Sequence, residues 1–265
     1  MTRIIAFSTN KGGVLKSSMT TCVAAILAKN KNKKVLIIDT DNQGNVALTF
    51  GKNPDSFENT IADVLLGEVD VNDAIYNVYE NIDIIPANGK MATLWFNVLQ
   101  NLDHYGNPMT LLKNAMEKLT KSYDVLLIDT PPNLELTVAN VLMYVEDVIV
   151  PFHPETYSLR SLFEITESVK NFKQSNSKLN IIGIVPTKTK LPGTPGTIVH
   201  NGTLQNAQDF CFKEKLTLTQ TQIYESVQYA NAVGLHRLPL PLTKVSKKHQ
   251  KCVDVYENLV SELGI

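Results

Sequence analysis

Cysteine is scarce and long apolar runs are absent, and each shortage removes a class of function. The 265 residues include three cysteines, Cys22, Cys211 and Cys252. They are scattered and lack the paired spacing of a metal site or a bridging iron–sulfur cluster. Each reads as a small buried hydrophobe in a reducing cytoplasm. No apolar stretch reaches the ~20 residues that span a bilayer. The chain enters a strand at Arg3 with no leader-like segment before it, so a cytoplasmic location is expected. Charge of one sign is lacking too: the formal net charge is −1, which confines any nucleic-acid surface to a local patch. Repeats, low-complexity tracts and interdomain linkers are missing. What remains is ordinary globular chemistry, 43% apolar and 19% charged, in a length suited to one α/β domain spanning 1–265.

Between an apolar run and a helical one lies Asn10-Lys11-Gly12-Gly13-Val14-Leu15-Lys16-Ser17-Ser18. Arg3–Ser8 reads as a short buried strand and Ser17–Ala28 as a helix. A glycine-containing turn between such elements aims backbone N–H groups and a helix N-terminus at one point, a ready anion site. A lysine beside a hydroxyl turns that site toward nucleotide phosphates and Mg²⁺. The stretch departs twice from G-x-x-x-x-G-K-[ST], because Asn10 and Leu15 stand at the glycine positions. It carries a second lysine, Lys11, at its start. Two more apolar strands end in carboxylates, Lys34–Asp41 with Asp39 and Asp41, and Tyr123–Pro132 with Asp129. In a parallel sheet covered on both faces, ligands bind beyond the carboxyl ends of the strands. Asp39, Asp41 and Asp129 are therefore expected to converge on the loop, where Mg²⁺ needs oxygen ligands.

Strand and helix signals alternate as in an α/β, doubly wound, mostly parallel sheet flanked by helices. Further strands are expected at Ile82–Pro86, Val148–Pro151 and Asn180–Pro186. Helices are expected at Met109–Thr120, Leu134–Val145, Tyr157–Gln174 and Gly202–Lys215. Gly51–Ala74 reads as an excursion with one short helix near Ile61–Leu66, and Lys190–Gly196 as a loop. In the last helix Cys252, Tyr256, Leu259, Val260 and Leu263 recur at helical spacing. Its other faces are acidic, which suits packing on the sheet better than a membrane surface.

The lysine-first loop Lys11–Ser17, the run Asp39-Thr40-Asp41-Asn42-Gln43-Gly44-Asn45 and Ile128-Asp129-Thr130-Pro131-Pro132 together resemble the deviant Walker A ATPases of the ParA/MinD group. Asp41-x-Gln43-Gly44-Asn45 is similar to the D-P-Q-G-N of ParA-type partition proteins, with Asn42 in place of proline. The resemblance implies a P-loop NTPase fold that takes ATP and Mg²⁺, with Lys11, Gly12, Gly13, Val14, Leu15, Lys16, Ser17 and Ser18 around the nucleotide. Lys16 should reach the β- and γ-phosphates, Ser17 should coordinate Mg²⁺, and Ser18 should support the α-phosphate. Asp129 should hold Mg²⁺, through water, and Asp39 should belong to the Mg²⁺ water shell. Asp41 should orient or activate the attacking water, although the roles of Asp39 and Asp41 can be exchanged. Lys11 should cross to the γ-phosphate of a second protomer, so that ATP is sandwiched in a homodimer and hydrolysis depends on assembly.

Pro154, in His153–Leu159, matches a segment that runs along the nucleotide and the dimer interface in the family. Thr187 and Lys188, after the Asn180–Pro186 strand, match where such proteins place an adenine-contacting residue. The family's later I-P-R motif is absent, and Gln222–Ser226 stands there instead. A substitute DNA surface is expected at Lys244, Lys247, Lys248 and Lys251, with His249 among them and Arg237 preceding. Such lysines touch phosphates without reading bases. The leading expectation is a short ParA-type partition ATPase, binding double-stranded DNA non-specifically and reset by a centromere-binding, ParB-type partner. The alternative is a MinD-like positioning ATPase acting at a membrane or on a protein cargo. A nitrogenase-iron-protein relative would need paired cysteines, and a small-molecule ligase a legible substrate pocket.

Overall fold

The computed structural model describes residues 2–133, 135–190 and 197–265, without the Lys248 side chain. Eight strands form one sheet: β1 (Arg3–Phe7), β2 (Val35–Asp39), β3 (Tyr76–Tyr79), β4 (Ile82–Ile85), β5 (Val125–Asp129), β6 (Asp147–Phe152), β7 (Asn180–Thr189) and β8 (Ile223–Tyr224). Their order is β3-β4-β2-β5-β1-β6-β7-β8. Every pairing is parallel except β3 with β4. The central strands β2 and β5 are buried at all five positions. Continuous runs such as Val-Leu-Ile-Ile-Asp require cover on both faces, and that need makes this sheet parallel and doubly wound.

The helices supply the cover. They are α1 (Lys16–Lys31), α2 (Asn45–Thr49), α3 (Ile61–Leu65), α4 (Met91–Gln100), α5 (Leu102–Tyr105) and α6 (Leu111–Met116), followed by α7 (Leu136–Tyr144), α8 (Ser158–Phe172), α9 (Ile198–Glu214), α10 (Val227–Asn231) and α11 (Lys251–Glu262). One apolar cluster packs α3, α4 and α6 to α9 on one face of the sheet. A second packs α1, α2, α10 and α11 on the other. Within α11, Cys252, Tyr256, Leu259 and Val260 are buried as their spacing implies. Burying each such aliphatic side chain contributes about 1.5–3 kcal/mol. Cys22, Cys211 and Cys252 are all buried free thiols. None of the helices described is long and apolar enough to cross a membrane.

The expected strands at 82–86, 148–151 and 180–186 form with small shifts in their ends. The expected Met109–Thr120 helix contracts to Leu111–Met116. The helix expected at Gly202–Lys215 starts earlier, at Ile198, because Thr197 caps it by accepting the His200 N–H at 3.1 Å. The expected start at Leu134 and the loop residues 191–196 lie outside the described residues. Several elements have no counterpart in the sequence reading, β3 and α4 among them. β3 is a four-residue antiparallel edge whose turn depends on Asn81 at φ 61°. Helix α4 carries no charged residue and its N-cap makes no side-chain bond, so the usual start signals are absent.

Candidate functional site

The loop after β1 bends through two left-handed residues, Gly13 at φ 71° and Leu15 at φ 70°. Glycine adopts that conformation without penalty, whereas leucine meets a steric cost of about 1–2 kcal/mol. Leu15 is the N-cap of α1, and its carbonyl accepts the Met19 N–H at 2.8 Å. No side chain caps the helix, so the first-turn amides of Lys16, Ser17 and Ser18 have no side-chain acceptor of their own. Gly12, Gly13, Leu15, Lys16, Ser17 and Ser18 all line one cleft of about 1050 Å³. Val14 is buried and does not line the cleft.

Three strand ends meet beneath the loop. Asp39 and Asp129 are register partners on β2 and β5. Both are fully buried. Their carboxylates are nevertheless used differently. Asp39 accepts the Asp41 N–H on Oδ1 at 3.0 Å and the Val46 N–H on Oδ2 at 3.1 Å. Asp129 accepts the Thr20 hydroxyl on Oδ1 at 3.3 Å, and its buried Oδ2 has no hydrogen-bond partner among the described residues. Burial pushes the Asp129 carboxyl up to about 6, against the Ser17 hydroxyl and the Lys16 ammonium beside it. A buried, partly unsatisfied carboxylate facing a hydroxyl is a donor set that suits a hard divalent cation. Burial lowers the Lys16 pKa, while Asp129 and Asp41 act in the opposite direction. The Lys16 Nζ donates to the Lys11 carbonyl at 3.2 Å.

Asp41 lies on the cleft wall. Its Oδ1 accepts the Gln43 N–H at 3.1 Å, and its other oxygen makes no hydrogen bond among the described residues. A carboxylate fixed through one oxygen and free at the other is suited to hold or take a proton from water.

Lys11 departs from the other loop residues. It does not line the cleft; its Nζ donates to Glu155 Oε2 at 2.6 Å and to Ser158 Oγ at 3.0 Å. Glu155 in turn pairs through Oε1 with His153 Nδ1 at 2.7 Å. The hydrogen bond from Lys11 is the main cause that holds the Glu155 carboxyl below its usual range. Asn10 adds a second tie to α8, donating to Glu164 Oε2 at 3.1 Å.

The far end of the cleft comes from a segment to which the sequence reading gave no role. Ser226, Val227, Tyr229, Ala230, Val233 and Gly234 form its wall, where α10 runs on into a π turn at Ala232–His236. The only signal available was apolar spacing over Val227–Val233. Gln43, Asn45, Leu48 and Thr49 line the cleft as well. Of the residues expected at the base and along the nucleotide, Thr187 and Pro154 do not line this cleft, whereas Lys188 does. Thr187 is fully buried inside β7, and its hydroxyl has no partner among the described residues. Lys188, the next residue, turns into the left-handed region at φ 52°. Pro154 borders a separate hollow of about 220 Å³ with His153 and His200. Lys244, Lys247 and Lys251 are exposed at the start of α11. The expectation for the Lys248 side chain lies outside the described residues.

A parallel sheet with a lysine-rich, glycine-containing loop between its central strand and the next helix, and acidic strand ends below, defines a P-loop nucleotide-binding protein. Comparison with known proteins narrows the class. The family described as an AAA domain matches residues 2–181. The ParA family protein MG470 of Mycoplasma genitalium is 31% identical over 270 residues, covering 98% of this chain and 96% of its own length. The chain belongs to the ParA family. Among solved structures, a putative plasmid partition protein from Borrelia burgdorferi B31 bound to AMPPNP superposes with a TM-score of 0.76 at 25% identity, covering 99% of this chain and 98% of its own. Cobyrinic acid a,c-diamide synthase from Mycobacterium smegmatis, with bound ADP and magnesium, gives a TM-score of 0.76 at 28% identity over 89% of this chain and 92% of its own.

Proposed function

We propose that the chain is a single-domain, Mg²⁺-dependent ATPase that partitions DNA. The observation that carries the ATPase reading is the unpartnered Asp129 oxygen beside Ser17 and Lys16, with the free Asp41 oxygen on the same cleft. Ser17 and Asp129 would hold Mg²⁺, which would supply positive charge to neutralise the phosphates. Lys16 and the first-turn amides of α1 hold the phosphates, and Ser18 supports the α-phosphate. Asp41 positions the attacking water and receives its proton. The wall from Ser226 to Gly234 takes the base. Family membership, together with AMPPNP in the plasmid partition relative, supports ATP as the nucleotide.

Lys11 completes the site in trans. A lysine that is held on α8 and does not line its own cleft is free to serve a second protomer once it leaves Glu155, so ATP is sandwiched in a homodimer. The dimer binds double-stranded DNA non-specifically through Lys244, Lys247, Lys248 and Lys251. A centromere-binding, ParB-type adaptor stimulates hydrolysis and returns the protein from the nucleoid to the cytoplasm.

The test is binding to random-sequence duplex DNA with ATP, ADP or no nucleotide across a salt series. ATP-specific, salt-sensitive binding is expected. Asp41→Ala should retain ATP and the DNA-bound dimer while hydrolysis falls about 10²–10⁴-fold. An ATP dimer without DNA binding would overturn the partition reading and leave the ATPase standing. Failure of Asp41→Ala to bind ATP would remove Asp41 from the hydrolytic role.

A further inference from the structure

The two carboxylates at the ends of β2 and β5 sit at the same level of the sheet with the same burial. Chain position alone would assign both to the cation. Their partners separate them. Asp129 has one buried oxygen with no partner, whereas both oxygens of Asp39 hold backbone amides.

The amides that Asp39 holds are the two ends of one loop. Asp41 is the first residue of that loop to reach the cleft, and Val46 is the second residue of α2. The cap position of α2 is Gly44, which has no side chain to satisfy the first-turn amides. Asp39 fills that role from the neighbouring strand by accepting the Val46 N–H. Between the two ends, the Gln43 N–H bonds to Asp41 Oδ1 and the Gly44 N–H to the Asp41 carbonyl, each at 3.1 Å. The loop cannot be rebuilt around a larger residue at Gly44. Its φ is 61°, and a Cβ there would lie 2.5 Å from Pro54 Cβ and 2.9 Å from the Ala87 carbonyl. Thr40 anchors the base of the loop, with both its N–H and its hydroxyl bonded to the Asp129 carbonyl, at 3.0 and 2.7 Å.

We infer that Asp39 is a positioning residue that sets the Asp41 carboxylate by holding the Asp41 and Val46 amides, and that it is not a determinant of Mg²⁺ affinity. The inference rests on the ATPase reading of the same site. It reassigns Asp39 from the Mg²⁺ water shell to the loop that carries the hydrolytic residue. The prepared geometry exists before nucleotide arrives, because every hydrogen bond in it is internal to the chain. Positioning groups of this kind change activity by about 10–100-fold when removed.

The experiment compares the full-length protein with Asp39→Asn and Asp129→Asn. Three quantities are read: Mg²⁺ half-saturation for binding a fluorescent non-hydrolysable ATP analogue, single-turnover ATP hydrolysis, and amide hydrogen exchange at residues 41–46. For Asp39→Asn, half-saturation should stay within about twofold while hydrolysis falls about 10–100-fold and exchange at Asp41 and Val46 accelerates. For Asp129→Asn, half-saturation should rise about tenfold or more with exchange at 41–46 unchanged. An equal rise in Mg²⁺ half-saturation for both variants would overturn the inference.

Exchange in the unmodified protein decides the matter even if Asp39→Asn does not fold. Protection of the Asp41 and Val46 amides without Mg²⁺ or nucleotide is expected, and fast exchange that slows only on adding both would refute the assignment. If the unmodified protein neither bound the analogue nor hydrolysed ATP, the ATPase reading would fail. The exchange result would still report on the fastening.

Discussion

At the loop end of the cleft, three strand ends and the first turn of a sixteen-residue helix converge; at the far end, a five-residue helix and a π turn form the wall. The loop end is held by the register of the central strands, where Phe7, Asp39 and Asp129 lie level with one another across β1, β5 and β2. The far end hangs from β8, two residues long at the sheet edge. Charge divides the same way. Lys16, Asp41, Asp39 and Asp129 are all nearly or fully buried at the loop end, whereas apolar Val227, Ala230 and Val233 share the far wall with an exposed Glu225. On the proposed ATPase reading, a site built like this would concentrate binding energy and chemistry at the phosphates and leave the base to shape.

The largest expected effect breaks the loop end. Lys16→Ala removes the ammonium that faces both Asp129 and Asp41. Truncating one partner of a buried charged contact costs roughly 2–5 kcal/mol. Affinity for a fluorescent ATP analogue should therefore fall about 100-fold or more in an equilibrium titration. With it should go nucleotide-dependent dimerisation, read by sedimentation. A loss of only a few-fold would mean that the two ends share the binding energy evenly.

The same contrast explains what could be read without coordinates. Motifs at the loop end are local: Lys11–Ser18 is contiguous, and Asp39 and Asp129 each close an apolar strand whose parallel pairing follows from its continuous burial. Continuous apolar runs and two acidic strand ends suffice to bring those residues together. The difference between Asp39 and Asp129 was not legible, because it depends on which backbone amides curl back under β2. The far wall was hidden for another reason. Tyr229 lies in the five-residue α10 and Val233 in the π turn that follows it, and no residue type announces that change of winding. At the end of β7 a single left-handed residue, Lys188, lines the cleft while Thr187 before it stays buried. Lys11 carried a legible role but an illegible resting place, since Glu155 is 144 residues away in sequence.

That resting place gives an intermediate prediction, which sharpens the difference between the loop and its neighbour α8. The Lys11–Glu155 pair is partly exposed, with Glu155 about half open to solvent, so its worth is small, about 0.2–1 kcal/mol. Glu155→Gln keeps the shape and removes the charge. If Lys11 must leave Glu155 to reach a second protomer, the ATP concentration for half-maximal dimerisation should fall by up to about fivefold in sedimentation. A rise would mean that Glu155 serves assembly in its own right.

The smallest effect tests the far end. Tyr229 packs edge-on against Tyr256, with ring centroids 6.1 Å apart, and forms part of the cleft wall. Its hydroxyl is buried near that of Tyr256, and neither makes a hydrogen bond of good geometry among the described residues. A buried hydroxyl without a partner loses its water bonds on folding and recovers nothing, a penalty of about 1–3 kcal/mol. Tyr229→Phe removes the oxygen and leaves the ring. The melting temperature should hold or rise, and analogue affinity should stay within about twofold if the base meets only the apolar ring. A drop of about tenfold would show instead that the phenol waits for a polar edge of the base. The far end would then carry hydrogen-bond readout as well as shape, and the division of labour along the cleft would be less complete than its walls suggest.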